Sequence, residues 1–428
     1  MKSQFFIFLS LFTFIVLGTS TAEAIPAFAR TYNISCMACH SAYPKLNAGG
    51  HAFAANGFRL GDGAPSTTIN TGDERLWLPQ TPALAARIQG YLQVRDDARN
   101  FDSAGNVSEA NSVDIQAPYL VKLLSGGAIS KQLSYYFYAI FAEKGDNGEA
   151  LVEDAWFRYS DIGGSGVSVQ LGQFQVSDLM FPREVRLNFQ DYMVYRLAGI
   201  TYERGLLVDK KIGSVDVGLG VVNGNGVKTS AAINGAGLGR SDRLFDDNDD
   251  KSLFTRFGLD ISSLNVGLFG LKGRQFGQSG NFLKDKSSDL TDKIIYGIDL
   301  SAELSDNVDI YAQGLVNQWN GFDRTQPDRN FQWWGGFVGI DYIFSRAWAF
   351  SFLHNLVDAG DFKSTDTIYR GLAVHTTSLT ASHYVATNAK VLIEFTYDWL
   401  DLESKNVDRS VGHHIKENSL VVGFDAAF

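Results

Sequence analysis

From about Ala83 to Phe428 the chain keeps one rhythm, in which apolar and polar residues alternate with a period of two. In Ile294–Leu304 the residues Ile294, Tyr296, Ile298, Leu300, Ala302 and Leu304 share one face. Gly297, Asp299, Ser301 and Glu303 occupy the other. In Lys390–Asp398, Val391, Ile393, Phe395 and Tyr397 alternate with Lys390, Glu394, Thr396 and Asp398. Successive side chains of a strand point to opposite sides, so this pattern means strands with one oily and one polar face. A small closed core cannot accept a charged face from every strand. A barrel in lipid can, because those faces look into a wet or plugged lumen. The counts agree: 31 Phe, 17 Tyr and 7 Trp coexist with a mean hydropathy of only −0.07, as expected when lipid-facing and lumen-facing residues average out. A soluble sandwich or propeller is the competing architecture, but no repeat of about 40–50 residues marks propeller blades.

Sixteen strands are predicted, over 84–95, 114–124, 133–143, 150–159, 166–174, 195–203, 213–223, 252–262, 264–273, 292–302, 307–317, 331–343, 347–356, 373–384, 388–398 and 418–428. Most fit the roughly 9–11 residues of a tilted membrane-crossing strand. The odd-numbered links are mostly long and the even ones mostly short, the pattern of outer loops alternating with periplasmic turns. Both chain ends therefore fall on the periplasmic side. Met180-Phe181-Pro182 interrupts any strand, and the link around it is expected to fold back into the lumen. Tyr91, Tyr136, Tyr138 and Tyr311 are expected to face the lumen as wall packing. Trp333, Trp334, Trp348 and Trp399 lie near strand ends, where an interfacial girdle is expected.

The remaining chemistry sits before the first strand. Residues 1–24 read as a signal peptide: Lys2, an apolar run from Phe5 to Leu17, then Ala22-Glu23-Ala24 as a cleavage site. The next segment, 25–80, holds Cys36-Met37-Ala38-Cys39-His40, a C-x-x-C-H run with the spacing of covalent c-type haem attachment. Cys36 and Cys39, the chain's only cysteines, would carry the haem, and His40 would bind its iron from one side. A dithiol redox motif is the competing reading. The second axial ligand stays open between His51, Met180 and Met193. His51 is nearest in sequence, with Phe53 and Phe58 placed to lie along the ring, and its bland alternative is an exposed polar residue. Asn47-Ala48-Gly49-Gly50 and Gly61-Asp62-Gly63-Ala64-Pro65 read as turns. So short a segment buries little surface alone. It is therefore expected to pack into the mouth or lumen of the barrel, 81–428. The fold class is thus all-β, a 16-stranded antiparallel transmembrane β-barrel with a short, mainly helical or irregular N-terminal c-type haem segment.

The order Ile25-Pro26-Ala27-Phe28-Ala29-Arg30, Cys36-Met37-Ala38-Cys39-His40, Tyr43-Pro44-Lys45-Leu46-Asn47 and Gly50-His51-Ala52-Phe53 continuing to Phe58 resembles the fused monohaem cytochrome–porins. Their best-known members are outer-membrane iron oxidases. The resemblance implies that Cys36 and Cys39 hold haem c and that His40 ligates it. It also implies that electrons from extracellular Fe(II) pass to a periplasmic c-type cytochrome. At His51 the chain departs from the basic residue expected there, so the resemblance does not carry the ligand role of that residue. Two acidic stretches could gather cations by field, or be solvated or calcium-binding loops: Asp242, Asp246, Asp247, Asp249 and Asp250, and Asp398, Asp401, Glu403 and Asp408 with His413 and His414. A net charge of −10 excludes nucleic acid as a partner and leaves outer-membrane lipid. The alternative function is a diffusion porin whose N-terminal segment is a plug or sensor.

Overall fold

The computed structural model describes residues 27–60, 68–73, 77–79, 83–95, 99–101, 107–109, 113–143, 151–183, 185–224, 250–275, 291–323, 326–365, 372–386, 388–400 and 418–428. The signal-peptide reading of 1–24 and the turn at 61–65 lie outside them. So do Asp242, Asp246, Asp247, Asp249, Asp401, Glu403, Asp408, His413 and His414.

Sixteen antiparallel strands close into a barrel in simple up-and-down order. In chain order they are β1 (Leu84–Arg95), β2 (Val113–Ala128), β3 (Leu133–Glu143), β4 (Leu151–Tyr159), β5 (Ser168–Gln175), β6 (Tyr202–Ile212), β7 (Val215–Val222) and β8 (Ser252–Ile261). They continue with β9 (Leu264–Gln275), β10 (Thr291–Ser305), β11 (Val308–Asn320), β12 (Asn330–Ile343), β13 (Trp348–Asp358), β14 (Ala373–Ala386), β15 (Ala389–Asp398) and β16 (Ser419–Ala427). β16 pairs with β1 from Ser419 opposite Arg95 to Ala427 opposite Arg87, which leaves no free edge. Turns such as 213–214, 262–263 and 306–307 join strands at one end, and the long links leave from the other.

Alternation sorts the side chains as the sequence requires. Leu171, Leu253, Leu268, Ile298, Leu379 and Phe395 are exposed on the outer face, where lipid covers them. Asp299, Arg256, Asp341, Lys390, Glu394 and Asp425 are buried on the inner face. Such charges are tolerated because they are paired or hydrogen-bonded. Arg256 donates to both oxygens of Asp299 at 2.6 and 3.0 Å, and Arg87 to both of Asp425 at 2.7 and 2.9 Å. Tyr91 and Tyr311 are buried on the lumen side as expected. Trp333 corrects the girdle expectation: it is fully buried, whereas Trp334 is exposed. Adjacent strand residues must face opposite ways, so the two cannot share a girdle. Asp398 likewise belongs to no outer loop. It ends β15, buried, and accepts from the backbone N–H of Leu400 at 3.0 Å.

The strand expected at 195–203 is a second correction. Met193–Ala198 is a short helix, and β6 begins only at Tyr202. The described residues of the link 176–201 fold inward across the lumen. Phe181 N–H donates to Asp299 at 3.0 Å, Asn188 to Thr380 at 2.8 Å, and the N–H groups of Phe189 and Gln190 to Glu394 at 2.6 and 2.9 Å. Tyr192 stacks on Phe337 with ring centres 4.3 Å apart. Its apolar residues bury against the inner wall of β10–β15, so they carry the same sequence signal as lipid-facing strand residues.

Candidate functional site

Residues 27–60 enter the barrel at its short-turn end. Helix α1 (Ala27–Tyr32) is followed by a single 3₁₀ turn, Cys36–Ala38, whose cap Ser35 accepts from Met37 N–H at 3.3 Å. That turn brings both thiols to one side of the chain. His40–Ala42 then pairs with Lys45–Leu46 across Tyr43-Pro44, which folds two carbonyls back onto His40. His40 Nδ1 lies 3.0 Å from the Pro44 oxygen and 3.2 Å from the Lys45 oxygen. Both neighbours only accept, so Nδ1 carries the proton and Nε2 keeps a free lone pair. A backbone carbonyl on the far ring nitrogen is how ligating histidines are oriented toward a metal.

The run from Asn47 to Gly50 forms a helix start, which corrects the turn reading. Asn47 caps α2 (Ala48–Ala55) by accepting from Gly50 N–H at 2.9 Å, and its amide donates to the Met37 carbonyl at 3.1 Å. The glycines serve close approach. A Cβ on Gly50 would stand 2.1 Å from the Cys39 carbonyl oxygen, and one on Gly49 2.7 Å from that of Ala38. Helix α2 is thus laid directly on the C-x-x-C-H turn. Gly50→Ala is expected to cost about 1–3 kcal/mol in thermal unfolding. Gly270→Ala is expected to be near neutral, because the new carbon meets only Thr255 Cγ2 at 3.8 Å.

Polar and aromatic contacts seat this segment on the wall. Lys45 Nζ reaches Asp341 at 2.6 Å and Asp309 at 3.3 Å, and Tyr384 donates to the Tyr43 carbonyl at 2.6 Å. Arg59 donates to the Lys131 carbonyl in the β2–β3 turn. Phe58, held at φ 59°, stacks between Phe28 and Trp156 with ring centres 4.9 and 5.8 Å away.

Between segment and wall lies a cavity of about 1080 Å³ lined by Cys36, Cys39, His40 and His51. It stands at the upper end of ligand pockets, about 300–1,000 Å³. His51 is not an exposed polar residue. Its ring packs edge-on against Phe181 at 5.1 Å, and its buried Nδ1 has no hydrogen-bond partner. Burial first, then the charges of Arg183, Lys45 and His40, push its pKa down to about 3. Its imidazole is therefore neutral, as metal ligation requires. Met180 is fully buried in the packed lumen core and does not line the cavity, and neither does Met193. Burial raises the pKa of both thiols, and Cys36 Sγ touches Asn388 Oδ1 at 3.4 Å. The two thiols, the free Nε2 of His40 and the orphaned His51 around one cavity fit a covalent haem. Among the described residues no group of three His, Cys, Asp or Glu side chains gathers as a metal-ion site.

No protein-family model and no curated protein matches the chain. Solved structures do match the barrel. The anion-selective porin from Comamonas acidovorans superposes with a TM-score of 0.54 at 11% identity, over 81% of this chain and 99% of that one. The outer membrane channel DcaP of Acinetobacter baumannii gives 0.53 at 12%, over 81% and 96%. Salmonella typhi OmpF, solved in complex with daunomycin, gives 0.53 at 12%, over 81% and 97%. The fold is that of the 16-stranded outer-membrane porins.

Proposed function

We propose that this porin-type barrel carries one covalent haem c at its short-turn, periplasmic end. In this reading it moves electrons from an extracellular reductant, with Fe(II) the candidate, to a periplasmic c-type cytochrome. The single observation that carries the proposal is His40, its Nδ1 proton held by two carbonyls, sharing one cavity with both thiols and with a His51 whose Nδ1 has no hydrogen-bond partner. When bound, the haem would supply a one-electron ferric/ferrous couple. Cys36 and Cys39 would tether it, His40 would present Nε2, and His51 is the candidate for the opposite face. Phe28, Phe53 and Phe58 would exclude water from the ring, which together with the axial ligands tunes the potential.

The likeness to solved channels backs a second reading more directly: a diffusion porin in which 27–60 and 176–201 act as plugs. One experiment separates the two. Full-length protein in liposomes is given Fe(II) outside while the visible spectrum and solute efflux are followed. The redox reading expects ferrous haem bands without efflux. Efflux with no spectral change would leave the porin reading standing alone.

A further inference from the structure

Arg183 is a charge that the described residues leave uncommitted. It lies in the link that crosses the lumen and lines the same cavity as Cys36, Cys39, His40 and His51. Its guanidinium carbon is 5.9 Å from the centre of the Phe181 ring, the ring that packs on His51. Its Nε is buried with no hydrogen-bond partner, and among the described residues no carboxylate forms an ion pair with it. The neighbouring arginines already hold ion pairs. Arg158 donates to both oxygens of Asp209 at 2.5 and 2.6 Å, and Arg256 is paired with Asp299. Both arginines repel Arg183, while Asp178 and Asp209 attract it without closing an ion pair. Two like charges beside it and no closed ion pair leave room for a further anion.

The topology says where that anion comes from. Cys36 touches Asn388, in the turn between β14 and β15. Asp178 acts on Arg183 from within the same link, and the other charges acting on it come from β4, β6 and β8, about half the sixteen-strand ring away from that turn. Thiols and guanidinium therefore lie toward opposite sides of one cavity. Haem has the same polarity: the vinyl groups that thiols take are on one edge, and two propionate carboxylates are on the opposite edge.

We propose that Arg183 binds a haem propionate and is the positioning residue for the edge of the ring remote from Cys36 and Cys39. The inference rests on the haem reading given above. A guanidinium forks onto a carboxylate with two parallel bonds, which fixes the plane of the ring as well as its charge. Neutralising that carboxylate also favours the ferrous state, since less negative charge bears on the iron.

The test uses full-length protein in detergent, with Arg183→Gln and Arg183→Lys. Covalent haem is scored first on denatured chains. Its absence from the native chain removes the haem reading itself, and Arg183 with it. Loaded proteins are then titrated potentiometrically through their visible bands. Arg183→Gln is expected to raise the ferric/ferrous ratio at fixed potential about tenfold, with unchanged band positions showing intact axial ligation. Arg183→Lys is expected to recover most of that shift but to stay about two- to threefold from native, because an ammonium cannot fork. A native midpoint in loaded Arg183→Gln overturns the proposal. If that variant yields no folded holoprotein, a native midpoint in Arg183→Lys overturns it instead.

Discussion

Replacing Cys36 and Cys39 together with serine is expected to abolish all covalently held haem while leaving the barrel folded. The reasoning is local. Residues 36–39 take no part in the sixteen-strand ladder, and the described wall contact of Cys36 is a single thiol–amide approach to Asn388. The closing ladder of β16 on β1 is untouched, as are the buried ion pairs of the wall. Thioether attachment, by contrast, depends wholly on the two sulfurs. Peroxidase staining after denaturing electrophoresis measures it, and heat-modified mobility reports the barrel. Each single variant keeps one thioether and is expected to retain part of the stain. His40→Ala should keep covalent attachment and lose the native absorption bands, since only the proposed iron ligand is removed. A stain that survives in the double variant would defeat the haem assignment.

Lys45→Ala is expected to loosen the N-terminal plug and open the lumen. Lys45 Nζ is the cation for Asp341, whose side chain is 1% exposed, and it also reaches Asp309. Breaking a buried pair from one side typically costs about 3–5 kcal/mol, because the abandoned charge stays in a poor environment. Here Tyr311 at 3.4 Å and Ser351 also donate to Asp341, so the lower part of that range is expected. A loss of this size should raise the fraction of released plugs several-hundredfold. Single-channel recording should then show larger and noisier conductance, and protease should cut within 27–60. Lys45→Met with Asp341→Leu removes both charges and is expected to regain much of the stability. Unchanged conductance and protection in Lys45→Ala would mean that the remaining contacts, the packing around Phe58 and the hydrogen bonds of Tyr384 and Arg59, suffice to seat the plug.

Much of the barrel could be read from the chain, and the reason is visible strand by strand. The expected spans 84–95 and 133–143 coincide with β1 and β3, because alternation is imposed on each strand separately by lipid on one side and lumen on the other. The span 195–203 failed because Tyr195 is buried and Leu197 half-buried against the lumen wall, and apolar contact leaves one sequence trace whether lipid or protein supplies it. Trp333 failed for a related reason: near a strand end, only the parity of the pleat decides which side an aromatic faces. The glycines at 49 and 50 read as a turn, since a close approach to the Cys39 carbonyl is a contact between segments and has no local signature.

What the sequence determined by itself was whatever depends on neighbours along the chain. That covers sixteen alternating strands with short turns at one end, and a C-x-x-C-H run whose spacing brings two thiols and an imidazole together in a single turn. Tertiary structure decided which distant residues share that turn's cavity. Lys45 meets Asp341, His51 meets Phe181, and Arg183 lines one cavity with the thiols, because ring closure and an inward-folded link bring together residues more than a hundred positions apart. Long-range proximity comes from closure of the ring, and no residue carries it in its own type or in its spacing to the next.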